Sequence, residues 1–128
     1  MQIRCPRFLL LASVAAVASA QSYSGDGTFY APGLGACGIS NTAADPIVAV
    51  AFELFDTWPG ATQNPNLNPI CGKTLTATYN GVSVNATVVD LCGGCTGLGD
   101  LDFSPDLFDQ LAPESVGRLF GVTWEFTS

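Results

Sequence analysis

The chain has 128 residues, 48% of them hydrophobic and only 12% charged, with a formal net charge of −7, five cysteines and no histidine. That length fits a single domain. The missing histidine excludes His-activated nucleophiles, His-bound metals and a His pH switch. The acidity argues against nucleic acid and anionic membranes, whose phosphates call for clustered Lys and Arg.

Arg4 and Arg7 precede an apolar run over residues 8–17, and Ala18-Ser19-Ala20 places small residues at a cleavage position. This pattern predicts a signal peptide over residues 1–20, whose apolar run over residues 8–17 is shorter than the about 20 apolar residues a bilayer-spanning helix takes. Cleavage removes two positive charges and Cys5. Residues 21–128 then carry −9, with Lys73 and Arg118 as their cations and Cys37, Cys71, Cys92 and Cys95 as their cysteines. An even count in an oxidising compartment predicts two disulfides, each contributing about 2–4 kcal/mol. A soluble, secreted domain at residues 21–128 is expected.

Residues 21–27 read as a short polar lead-in. Residues 28–31 read as a brief strand ending at Pro32-Gly33, and Gly33, Gly35 and Gly38 make a tightly turned loop around Cys37. The apolar run at residues 47–52 predicts a buried strand, with a helical turn over residues 53–57. Residues 58–70 form a long Pro/Asn-rich loop of the kind that often carries function. Residues 74–79 and 82–89 flank Asn80-Gly81, the pair preferred by type I′ hairpins. Alternation along them puts one face in a core and the other in water. Asn85-Ala86-Thr87 is a glycosylation sequon, and Asn85 falls on the wet face. Ser104-Pro105-Asp106 starts a helix running to about residue 112, with Leu107, Phe108 and Leu111 on its buried side. Residues 118–126 close the chain as a strand in which Val122, Trp124 and Phe126 alternate with polar residues. Short strands, turn signals and one brief helix favour a small all-β barrel over a two-sheet sandwich.

Two carboxylates stand in apolar company. Asp90 ends an apolar strand and Asp102 sits between Leu101 and Phe103. Two carboxylates sharing a cleft split their pKa values, which is the chemistry of glycoside cleavage. The same residues also suit a plain structural role, Asp90 accepting backbone N–H groups in the following turn and Asp102 capping the helix entry. Both readings stand at this level. Tyr30 and Trp58 offer aromatic faces on which a sugar ring can stack, and Trp58 equally suits a loop anchor. Cys92-Gly93-Gly94-Cys95 reads as a structural staple. A redox pair or a thiolate metal site fits the secretory route poorly, so neither a metal nor a cofactor is expected.

Thr28-Phe29-Tyr30, Gly35-Ala36-Cys37-Gly38, Asn68-Pro69-Ile70-Cys71-Gly72-Lys73, Asn80-Gly81, the run from Val88 to Cys95, Asp100-Leu101-Asp102-Phe103-Ser104 and Val122-Thr123-Trp124 follow one another in a telling order. Together they resemble the double-psi β-barrel domains of expansins, rare-lipoprotein-A-like and barwin-like proteins, and especially the single-domain fungal loosenins. The resemblance covers about residues 25–127. It implies a six-stranded double-psi β-barrel with one or two short helices, an open groove, and the pairs Cys37–Cys71 and Cys92–Cys95.

The resemblance also implies roles. Asp102 falls on the aspartate that expansins share with the general acid of family-45 endoglucanases, while Thr28, Tyr30 and Asp90 fall on groove positions. Asp100 stands where expansins carry a histidine. Tyr30-Ala31-Pro32 lacks the second catalytic aspartate of those endoglucanases, and an inverting hydrolase needs such a base. The expected function is therefore non-hydrolytic binding and loosening of cell-wall polysaccharide by a monomer. A protease-inhibiting or defence-type protein-binding module is the alternative, and a lytic transglycosylase or weak endoglucanase stands third.

Overall fold

The computed structural model describes residues 21–128, so the predicted signal peptide lies outside the described residues. Six strands close into a barrel in the order β1-β5-β2-β4-β3-β6, where β1 is Ser22–Phe29, β2 Ile47–Ala51, β3 Thr74–Tyr79, β4 Val82–Cys92, β5 Leu101–Phe103 and β6 Leu119–Phe126. Two short helices, α1 (Phe52–Thr57) and α2 (Pro105–Leu111), join them. The β1–β5 and β2–β4 pairs are parallel and the remaining pairs antiparallel. Among the described residues no helix is long and apolar enough to cross a membrane.

The β3–β4 hairpin turns at Asn80 and Gly81, both at positive φ (48° and 80°), as a type I′ turn requires. Alternation then sends Leu75, Ala77, Val84, Ala86 and Val88 inward, where they meet Val48, Val50, Leu101, Phe103, Leu119 and Val122. Trp124 is buried as expected, stacked on Tyr23 at 4.3 Å, with its indole N–H donating to the Gly99 carbonyl at 2.8 Å. Both disulfides form with the pairing that the family resemblance implied, Cys37–Cys71 and Cys92–Cys95.

Several sequence expectations need correcting. The polar lead-in is strand: β1 begins at Ser22 and ends at Phe29, because backbone pairing with β6 supplies what its Ser, Gly and Asp side chains do not. Phe52 belongs to the helix rather than to β2, and β6 begins at Leu119 rather than residue 118. The three residues of β5 are a strand the local pattern did not announce. Asp90 does not end a strand, since β4 runs on to Cys92. Ser104 holds the N-cap position of α2, but its buried hydroxyl makes no cap bond, leaving Pro105 to start the helix.

One irregularity positions the site. Along β4, Val88 pairs with Val48, but the next partner of β2 is Asp90 opposite Ala49, so Val89 is an extra, bulged residue. A one-residue slip exchanges the two faces of a strand. Without the bulge Asp90 would follow Val84, Ala86 and Val88 into the core. With it, Asp90 and Cys92 face outward beside Ala49 and Ala51, and Leu91 turns inward beside Val50.

Candidate functional site

Register lines four side chains up across four strands on the outer wall of the barrel. Thr28 on β1 pairs with Asp102 on β5, Asp102 with Ala49 on β2, and Ala49 with Asp90 on β4. Adjacent strands lie about 4.8 Å apart, so the two carboxylates flank Ala49, which is itself buried against Tyr30 and the Cys92–Cys95 disulfide. The row forms the floor of a cleft of about 320 Å³. Tyr30 and the Cys92–Cys95 turn with its two glycines form one wall, and Asp26, Asp100 and Arg118 line another side.

Each carboxylate is held differently. Thr28 Oγ1 donates to Asp102 Oδ1 at 2.9 Å. Asp90 Oδ1 accepts the backbone N–H groups of Ala36 and Leu91, both at 2.8 Å. Gly35 lets the Cys37 loop come this close, since a Cβ there would lie 2.6 Å from the Val89 carbonyl oxygen and 3.1 Å from the Asp90 carboxyl carbon. Asp100 accepts the N–H of Asp26 at 2.8 Å and that of Gly97 at 2.9 Å. Arg118 pairs with Asp26 at 3.1 Å.

Burial raises the Asp102 pKa above the ordinary carboxylate value. The Thr28 bond opposes that rise and the charge of Asp90 adds to it. Burial also lifts the Tyr30 phenol, with the charges of Asp90 and Asp102 adding to the effect. Tyr30 therefore stays a neutral hydroxyl donor beside two acids. Among the described residues no group of three or more His, Cys, Asp or Glu side chains is arranged to hold a metal ion.

Thr28, Tyr30, Asp90 and Asp102 thus share one cleft. For Asp90 the structural reading holds in part, because one oxygen serves backbone N–H groups. For Asp102 it does not, since the side chain bonds Thr28 and leaves the helix entry uncapped. Trp58 is elsewhere: half-buried, it packs against Phe126 at 5.1 Å under the Lys73 ammonium, 5.8 Å from the ring centre. Asn85 is exposed on the outer face of β4, where its side-chain oxygen accepts the Thr76 hydroxyl at 2.7 Å. Sequence reasoning missed Asp26, Ala49 and Arg118. Only the break in alternation at Val88-Val89 hinted that Asp90 turns outward.

No family model matches the chain. The papain inhibitor of Streptomyces mobaraensis is 33% identical over 109 residues, covering 83% of this chain and 72% of the relative. The solved Streptomyces papain inhibitor superposes with a TM-score of 0.74 over 84% of this chain and 96% of the other. The chain belongs to the barwin-like double-psi β-barrel family.

Within the barwin-like family, an Asp f 7 allergen homologue from Arthroderma benhamiae is 36% identical over 117 residues, covering 80% of this chain. The chain spans only 38% of that relative's length and 20% of the related Aspergillus fumigatus allergen. A Clavibacter michiganensis expansin solved with cellohexaose shares the fold at a TM-score of 0.67 and 23% identity, over 84% of this chain and 51% of that one.

Proposed function

We propose that this barwin-like domain is a secreted protein that binds cell-wall polysaccharide in the Asp102 cleft and loosens it without cutting. The observation that carries the reading is the register row Thr28–Asp102–Ala49–Asp90, whose polar members line the cleft on the outer wall. A row of donors and acceptors on a strand surface suits an extended chain of sugar hydroxyls, and Tyr30 adds an aromatic face and a neutral hydroxyl. Competition for the hydrogen bonds between neighbouring polysaccharide chains separates them with no covalent step.

Hydrolysis fits less well. Ala31 and Pro32 leave no carboxylate after Tyr30, and one oxygen of Asp90 is committed to two backbone N–H groups. The solved expansin complex with cellohexaose is consistent with a glycan on this fold. The test is fibre swelling together with reducing-sugar release on cellulose and chitin: swelling without release supports the reading, and release abolished by Asp102→Asn overturns it.

A second reading, inhibition of papain-type proteases, is favoured by the likeness to the solved Streptomyces inhibitor over 84% of this chain and by a surface feature away from the cleft floor. Leu34 (76% exposed), Ile39 (50%) and Leu67 (69%) project from two loops that the Cys37–Cys71 disulfide ties together. Apolar side chains on rigid loops suit docking to a protein.

A further inference from the structure

The polysaccharide reading leaves open which glycan the cleft prefers, and its charge balance narrows the choice. Four carboxylates line it, Asp26, Asp90, Asp100 and Asp102, against a single cation, Arg118. Arg118 is engaged by Asp26 at 3.1 Å, and both oxygens of Asp100 accept backbone N–H groups. The other cation of residues 21–128, Lys73, is held at the Ser128 carbonyl and over the Trp58 and Phe126 rings. Asp90 and Asp102 therefore face the cleft with no cation of the described residues bonded to either, and only the charge of Arg118 reaches Asp102.

A neutral sugar laid over this floor would strip water from two carboxylates and return only hydroxyl hydrogen bonds, and desolvating unpaired charge is costly. An acetamido group would bring its carbonyl oxygen toward acids, and a uronate would add like charge. An ammonium instead neutralises both. Asp90 and Asp102 stand on the two strands that flank β2, so strand spacing lets one group between them meet both side chains.

We infer that the cleft selects amino-sugar polymers with free amines, the deacetylated form of a chitin-type chain, with an ammonium held between Asp90 and Asp102. This rests on the polysaccharide reading. The groups facing the ammonium are Asp26, Thr28 and Tyr30 from β1 and its exit, Asp100 and Asp102 from β5 and its approach, Asp90 from β4, and Arg118 ahead of β6. An amine of this kind loses its proton around pH 7, near the range of an α-amino group, while Asp102, raised by burial, ionises at a higher pH than an ordinary carboxylate. Selectivity therefore peaks in the mildly acidic range and fades as the amine discharges.

The test is calorimetry of the secreted protein at low ionic strength with three hexamers: glucosamine, N-acetylglucosamine and glucose. The glucosamine hexamer should bind about tenfold more tightly than either neutral one at about pH 5.5, with the preference lost near pH 8 and in high salt. Asp90→Asn and Asp102→Asn should each cut that preference several-fold. The double variant Asp56→Asn/Asp109→Asn removes equal charge from exposed helix positions outside the cleft and should keep it. Equal binding of all three hexamers, or a preference that survives both cleft substitutions, overturns the inference while leaving the polysaccharide reading intact. An equal gain for a lysine hexamer overturns the sugar-specific form, and no binding of any hexamer defeats both.

Discussion

Thr28 and Asp102 stand opposite each other on parallel strands, and the Thr28 hydroxyl donates to Asp102 Oδ1 at 2.9 Å. The bond joins residues 74 positions apart in sequence, orients the acid and opposes the rise in its pKa that burial causes.

The pKa of Asp102 is raised in the folded chain from its ordinary 3.8, chiefly by burial. Protonation therefore favours the folded state. The contribution is fully present below the unfolded value and is lost as pH rises through the folded one. Asp102→Asn should match the parent in strongly acidic buffer and be more stable at neutral pH by no more than about 1 kcal/mol, since solvent still screens the side chain. Thr28→Val should push the Asp102 pKa higher still. Denaturant unfolding against pH and carboxyl NMR titration check the two statements, and a pKa that falls in Thr28→Val contradicts them.

Asp90 ties the Cys37 loop to the cleft through the Ala36 N–H. Asp90→Ala leaves that N–H and the Leu91 N–H without their acceptor and should cost about 1–3 kcal/mol. Asp90→Asn keeps an acceptor oxygen and should cost less. Gly35→Ala places a Cβ 2.6 Å from backbone and should destabilise although it removes no bond. Thermal unfolding of the three variants gives the order.

Much of this could be read from the sequence, and the misses share one cause. The Asn80-Gly81 hairpin, the start of α2 at Pro105 and the burial of Trp124 are local patterns, legible from turn chemistry and alternation. β1 over Ser22–Phe29 and the three-residue β5 are held by pairing with distant strands, so their own residues do not announce them. The cleft is likewise a register effect. Ala49 matters only because a bulge at Val89 brings Asp90 beside it, and Asp26 meets Arg118 across 92 residues. Trp58 on a long loop looked equally suited to sugar stacking, but nothing local showed that Phe126 and Lys73 enclose it.

Trp58→Ala should remove packing against Phe126 and lower stability by about 1–3 kcal/mol. Glycan binding in the cleft should be unchanged once measured on folded protein. A loss of binding with unaltered stability would give Trp58 the platform role instead.

If protease inhibition is a function of the chain, it resides at the loop tips rather than in the cleft. The triple variant Leu34→Ser/Ile39→Ser/Leu67→Ser should abolish inhibition of a papain-type protease while leaving polysaccharide pull-down unaltered. Stability should also hold, because these side chains are already in solvent. Inhibition retained in the triple variant and lost in Asp102→Asn would move the inhibitory surface to the cleft.

The central claim, an aspartate-centred cleft that holds polysaccharide without cleaving it, is tested most directly by depletion of the protein on amorphous cellulose and chitin with reducing ends counted in the same tubes. The account predicts a bound fraction that falls with Asp102→Asn and reducing ends at the level of the protein-free control. Reducing ends that rise with the parent protein and vanish with Asp102→Asn would contradict it.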